Sequence, residues 1–383
     1  VTGDANFLGG QLQFATDLFP TAARLDVLGN VAQTALAAAA TMSSKGSLRC
    51  MGTWTANAAL DLGESFVEFG EGSSVTGLVS EFHNVRIPAG STPVSLLAPV
   101  RVSGRLESDG GVTQGQWFEM TGPSAVLATT DDSLHEVRIL SGVTTVEVAT
   151  LDKLQLLGGE LTVPAGKTLT IVNALELLGG TLAMDPTDSG TDARIIASGT
   201  VTQLGTGAAL TTGSGGTLRC DGIWLGNAPI DLDKSFVEMG PNSTIIGSAV
   251  SFGRLRLAEN AAVSLNALVP VTTELVAETG SSTVGFFALE AQPGIGNTMA
   301  FSGEGQISEL SIVNGRVDAA GAHVGVLKLQ GGVFAATGVG PDTEAASLSL
   351  EGGEVLVREG ATLLVTGDAT LTSGSVGFEV DAG

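Results

Sequence analysis

Short alternating runs of apolar and polar residues, broken by glycine, fill this chain. In LQLLGGELTVPAGKTLTI, which starts at Leu154, apolar side chains recur at every second position and a glycine pair separates the runs. SLSLEGGEVLVREGATLLVTG, from Ser347, repeats the same grammar. Alternation over roughly four to six residues, bounded by Gly, Asn, Asp or Pro, predicts β-strands joined by tight turns. No sustained i, i+3, i+4 stripe survives the glycines, so helix is not expected.

The runs belong to larger repeats. GSLRCMGTWTANAALDLGESFVEFG begins at Gly46 and GTLRCDGIWLGNAPIDLDKSFVEMG at Gly216, an offset of 170. Carried through to FHNVRI (Phe82 to Ile87) and FGRLRL (Phe252 to Leu257), the comparison gives roughly 19 identities in 42 positions without a gap. VTGDATLTSGSVGF, from Val365, then resembles VTGDANFLGGQLQF, from Val1. The chain therefore divides into a first copy over 1–170, a second over 171–364 with about one extra coil, and the start of a third over 365–383. A finer period of 52 aligns Gly63–Ile87 with Gly115–Ile139, compatible with roughly 17 to 26 residues per turn. A chain in the same phase at both ends looks cut from a longer array, or built so that its ends stack.

Strands that recur at near-constant spacing, each too small to bury its own face, need stacked neighbours. The expected fold is all-β: a right-handed parallel β-helix, or β-solenoid, of about 18 coils forming one continuous rod. A strict hexapeptide period, which marks left-handed winding, is absent. An array of immunoglobulin-like sandwiches is the rival, but a period near 52 does not suit a domain of about 100 residues.

The grammar L-x-L-x-G-G-x-L-x-V-x-x-G-x-T-L resembles the degenerate coils of large secreted bacterial β-helix surface proteins, namely autotransporter passengers and filamentous adhesins. The resemblance covers nearly the whole chain and carries no signature residue. It implies a β-helix at the cell surface or outside the cell, and no particular activity.

Charge narrows the function classes. Seventeen Lys and Arg against 40 Asp and Glu leave a net charge of −23 on a chain that is 43% apolar. Nucleic-acid binding and docking on anionic membranes both need a basic footprint, and none exists. The apolar content argues against disorder. No run of about 18 apolar residues is present, so membrane insertion as a helix is not expected. The first residue is Val and no signal peptide precedes it, which suggests a processed or partial chain.

Candidate chemistry is sparse. Cys50 and Cys220 occupy matching LRC positions. Placed several coils apart, on the order of 40 Å, they should not form a disulfide and are expected as buried thiols. His83 and His135 fall at one repeat position, where other turns carry Gly253 and Ser308, and His323 has no carboxylate nearby in sequence. Asp131, Asp132, His135 and Glu136 form the densest polar cluster, and its Asp pair, local to one coil, is the best single candidate for an activity, to be tested by Asp132→Ala. Arg49, Arg86, Arg138, Arg219 and Arg256 recur once per repeat, as do Asp61 with Asp231 and Glu68 with Glu238. A catalytic group is needed once, so recurrence points to a structural task. Trp54 matches Trp224, and Trp117 matches Phe287, which suggests packing rather than sugar platforms. The sequon at Asn242 is isolated, no calcium-binding nonapeptide recurs, and the Gly-rich pieces lack a phosphate-binding Lys.

The expectation is therefore a non-enzymatic, extracellular structural solenoid with no catalytic, cofactor or metal site. Its main partner would be itself, head to tail, with cell-surface or matrix polysaccharide as a further partner. The alternatives are an adhesin that binds on a lateral face, or a polysaccharide lyase or hydrolase of the β-helix class.

Overall fold

The computed structural model of the protein describes residues 1–7, 24–33, 46–60, 62–129, 134–184, 192–204, 216–232, 234–285, 288–294, 296–338 and 341–379. Among them the chain forms 41 strands and no helix, wound as a parallel β-solenoid of about 15 turns in all. The strands pair in parallel, which rules out the sandwich array, whose sheets are antiparallel. Two compact units are present, one of Val1–Ile195 and one within 196–383.

Turn length varies from 17 residues between the partners Thr144 and Leu161 to 26 between Ala5 and Val31. The count of about 15 turns falls below the 18 expected.

Register explains the core of the first unit. Leu48, Val67, Val85, Leu106, Leu127 and Val146 pair in succession and form one aliphatic column. All six are fully or almost fully buried. Each side chain buried in this way stabilises the fold by about 1.5–3 kcal/mol. Trp54 is fully buried in the same unit. Its ring meets Phe69 and Phe82 edge to face, with centroids 6.0 and 5.5 Å away.

The second unit repeats the plan. Thr217–Cys220 shows the same burial pattern as Ser47–Cys50, and Trp224 packs edge-on against Phe252 with centroids 5.2 Å apart. One column runs Val271, Ala291, Ile312, Leu329, Leu350 and Leu371. A neighbouring one runs Met299, Val317, Phe334, Val355 and Val376.

The glycine pairs set the corners. At Gly332 and Gly353 the backbone has φ of +74° and +79°. A Cβ there would lie 2.5 Å from the Gly315 carbonyl oxygen and 2.3 Å from that of Gly332, respectively. Each carbonyl accepts the next turn's amide instead, from Val333 at 2.8 Å and Glu354 at 2.9 Å. Only glycine lets successive corners approach so closely.

Candidate functional site

The recurring charges hold turns together. In the first unit Asp26, Arg49, Glu68, Arg86 and Glu107 stand in register on five consecutive strands, so the sign alternates up the sheet. Arg86 reaches Glu107 at 2.9 Å, Glu68 at 3.5 Å and Asp109 at 3.6 Å, and lies 4.3 Å over the Phe66 ring. In the second unit Glu238 sits between Arg219 at 3.2 Å and Arg256 at 3.8 Å, and Arg256 lies 4.2 Å over Phe236. Glu68 and Glu238 are both buried, which makes their flanking arginines necessary. Asp61 lies outside the described residues, and Asp231 is described but exposed.

A further ion pair is visible only through the fold. Arg105 reaches past the adjacent turn to grip Glu147 with both terminal nitrogens, at 2.9 and 2.6 Å, and this holds the Glu147 carboxyl below its ordinary range. The Glu71 carboxyl is lowered as well, chiefly by the Thr92 amide and then by Thr92 and Ser91 side-chain bonding.

The histidines are dispersed. His83 Nδ1 is 3.1 Å from Ser103 Oγ, and His135 Nδ1 is 3.2 Å from Asp152 Oδ2. Of the polar cluster singled out in the sequence, Asp131 and Asp132 lie outside the described residues. Glu136 is bound by Arg138 at 2.6 Å. His323, which lacks a carboxylate nearby in sequence, has one in space: Glu344 Oε2 lies 3.3 Å from its Nδ1 one turn on. This pair borders an open cleft of about 340 Å³ with Glu304, Gln306 and Thr366. Among the described residues no group of three His, Cys, Asp or Glu is placed to hold a metal ion. Among the same residues no helix is long and apolar enough to cross a membrane.

Cys50 and Cys220 are free, buried thiols. Burial raises both pKa values, that of Cys220 to about 11. Trp117 is only half-buried. Its Nε1 donates to Glu119 at 2.9 Å, and the Arg138 guanidinium lies 3.4 Å over its ring. Strand register matches Trp117 with Ala288 of the second unit, while Phe287 lies outside the described residues.

The last described turn differs from those beneath it. Among the described residues, strands Leu363–Val365, Ala369–Leu371 and Ser375–Glu379 pair with earlier strands on one edge only. Leu371, Val376 and Phe378 are 60%, 53% and 81% exposed, although Leu350 and Val355 below the first two are buried. Among the described residues, the core at this turn is exposed and its outer strand edge has no partner strand. No protein-family model, curated protein or solved structure matches this chain.

Proposed function

We propose that this chain is a non-enzymatic structural β-solenoid, a segment of an extracellular filament, stalk or surface layer that grows end to end. The continuous parallel stacking of turns carries the proposal, because the columns that reach Leu371 and Val376, and the strand edges beside them, can be extended by a further turn of backbone. The proposed occupant is another copy of the same repeat, whose first strand here is Ala5–Phe7. That strand and Ala369–Leu371 each begin at the alanine that ends a VTGDA sequence. The net charge of −23 opposes side-by-side clumping and favours axial growth. The secreted surface proteins that the coil grammar resembles support an extracellular setting.

Electron microscopy and sedimentation of the purified chain test the proposal. Rods that lengthen with protein concentration support it. A strictly monomeric particle at high concentration refutes it. The cleft beside His323 and Glu344 favours a second reading, an adhesin that binds through a lateral face. That reading expects bound ligand without any change in particle length.

A further inference from the structure

Arg49 and Arg219 hold the same position in the two units, but only Arg219 has its acid. Arg219 Nε donates to Asp221 Oδ1 at 2.7 Å. The residue in the place of Asp221 is Met51. Arg49 Nε is buried without a hydrogen-bond partner, and among the described residues Arg49 forms no ion pair. Its register neighbours are acidic but engaged elsewhere, Asp26 with Arg24 at 2.7 Å and Glu68 with Arg86 at 3.5 Å. Arg254 and Arg256 also carry a buried Nε without a hydrogen bond, yet each keeps a glutamate through a terminal nitrogen. A buried donor left without an acceptor costs stability, most of all on a charged group.

The backbone around the two arginines is alike. Met51 N donates to the Val27 carbonyl at 3.0 Å, and Asp221 N to that of Ala197 at 2.9 Å. Gly70 N and Gly240 N donate to the Cys50 and Cys220 carbonyls, both at 2.8 Å. These two glycines mark the spot between the side chains. A Cβ at Gly240 would meet Asp221 Oδ1 first and would lie 3.2 Å from Arg219 Nε. One at Gly70 would meet Met51 Sδ first and would lie 3.1 Å from Arg49 Nε. The thioether sulfur thus stands where the carboxylate oxygen stands. It is a weak acceptor without charge, so it does not do the carboxylate's work.

Met51 also differs from the other methionines in access. It is half-buried, whereas Met120, Met184, Met239 and Met299 are fully buried. Met42 lies outside the described residues. An oxidant in solution therefore reaches the sulfur beside Arg49 before it reaches the four in the core.

We propose that Met51 is a site of reversible oxidation by a peroxide, at which the sulfoxide oxygen accepts from Arg49 Nε as Asp221 does from Arg219. With hydrogen peroxide, the sulfur lone pair attacks one peroxide oxygen. An S–O bond forms as the O–O bond breaks, and the departing hydroxide takes up a proton and leaves as water. Sulfur loses two electrons and the peroxide gains them. A sulfoxide usually harms packing because it sets a polar group among apolar ones. Here the new oxygen faces a donor that lacks an acceptor, so oxidation tightens the turn, and enzymatic reduction of the sulfoxide releases it.

Hydrogen peroxide and the full chain carrying Met42→Leu test the inference. Peptide mass spectrometry should show Met51 gaining one oxygen about tenfold or more faster than the four buried methionines. The chain oxidised at Met51 should have a folding equilibrium about tenfold more favourable, read as a higher urea midpoint. A methionine sulfoxide reductase should return the midpoint to its starting value. Arg49→Leu, which removes the donor, should abolish the gain. Met51→Asp, which installs the pair of the second unit, should raise the midpoint without any oxidant. Oxidation of Met51 no faster than that of Met120, or a midpoint that oxidation leaves unchanged or lowers, would overturn the proposal. So would an equal gain in folded Arg49→Leu, or a Met51→Asp midpoint no higher than that of the parent chain.

Discussion

Leu371 stacks on Leu350 as its direct register partner, and the two occupy the same column in opposite environments. Leu350 is fully buried, whereas Leu371 is 60% exposed. Leu350→Ala should therefore destabilise the fold by about 2–5 kcal/mol. Leu371→Ala in dilute, monomeric protein should cost well under half of that. Urea midpoints for the two variants make the comparison. On the proposed end-to-end stacking, Leu371→Asp should shorten the rods expected at high concentration without moving the dilute midpoint. Equal destabilisation of the monomer by the two alanine variants would show that the turn above Leu350 is already covered.

Much of this was legible in the sequence. Alternation of residues such as Leu348 and Leu350 gave the strands, and the match of Gly46 with Gly216 gave the repeated turn. Pairing partners were not legible, because register depends on how many residues each connection takes up. His323 therefore looked isolated in the sequence, although Glu344 stands opposite it one turn on. The Arg105–Glu147 pair was hidden for the same reason, because its members are 42 residues apart and meet only once the turns are stacked.

Gly332 tests the corner geometry. An alanine there must keep φ near +74° and would place its Cβ 2.5 Å from the Gly315 carbonyl oxygen. That oxygen accepts the Val333 amide, so relief of the clash would cost a cross-turn hydrogen bond. Gly332→Ala should destabilise by about 1–3 kcal/mol. Gly166 also has positive φ but open space at its Cβ position, so its alanine variant should cost less. Equal losses at both sites would mean that φ alone, and not stacking, sets the cost.

Arg86 and Arg24 both approach Glu68, at 3.5 and 3.8 Å, but they differ in exposure. Arg86 also engages Glu107, Asp109 and the Phe66 face. Arg86→Ala leaves the buried Glu68 carboxylate short of a partner and should cost about 1–3 kcal/mol. Arg24→Ala removes a more exposed contact and should cost about 0–1 kcal/mol. Molar salt should mask the Arg24 effect more than the Arg86 effect, since buried pairs are screened less. Denaturation of both variants with and without salt checks the order.

The Cys220 thiol gives a pH signature that does not depend on function. Desolvation raises its pKa from 9.0 to about 11, so the folded chain keeps it protonated where the unfolded chain ionises it. A folded-state pKa above the unfolded one means that the stability contribution is intact below pH 9 and is lost as pH rises toward 11. Each tenfold difference in ionisation between the two states is worth about 1.4 kcal/mol, so the loss from this thiol approaches roughly 3 kcal/mol. Cys220→Ala should flatten the decline in stability over that range, measured by denaturant titration. At pH 8 the native thiol should react with a disulfide reagent far more slowly than in urea, because attack needs the thiolate and access to it. Fast labelling of native Cys220 at pH 8 would place this sulfur at the surface and contradict its complete burial beside its register partner Met239.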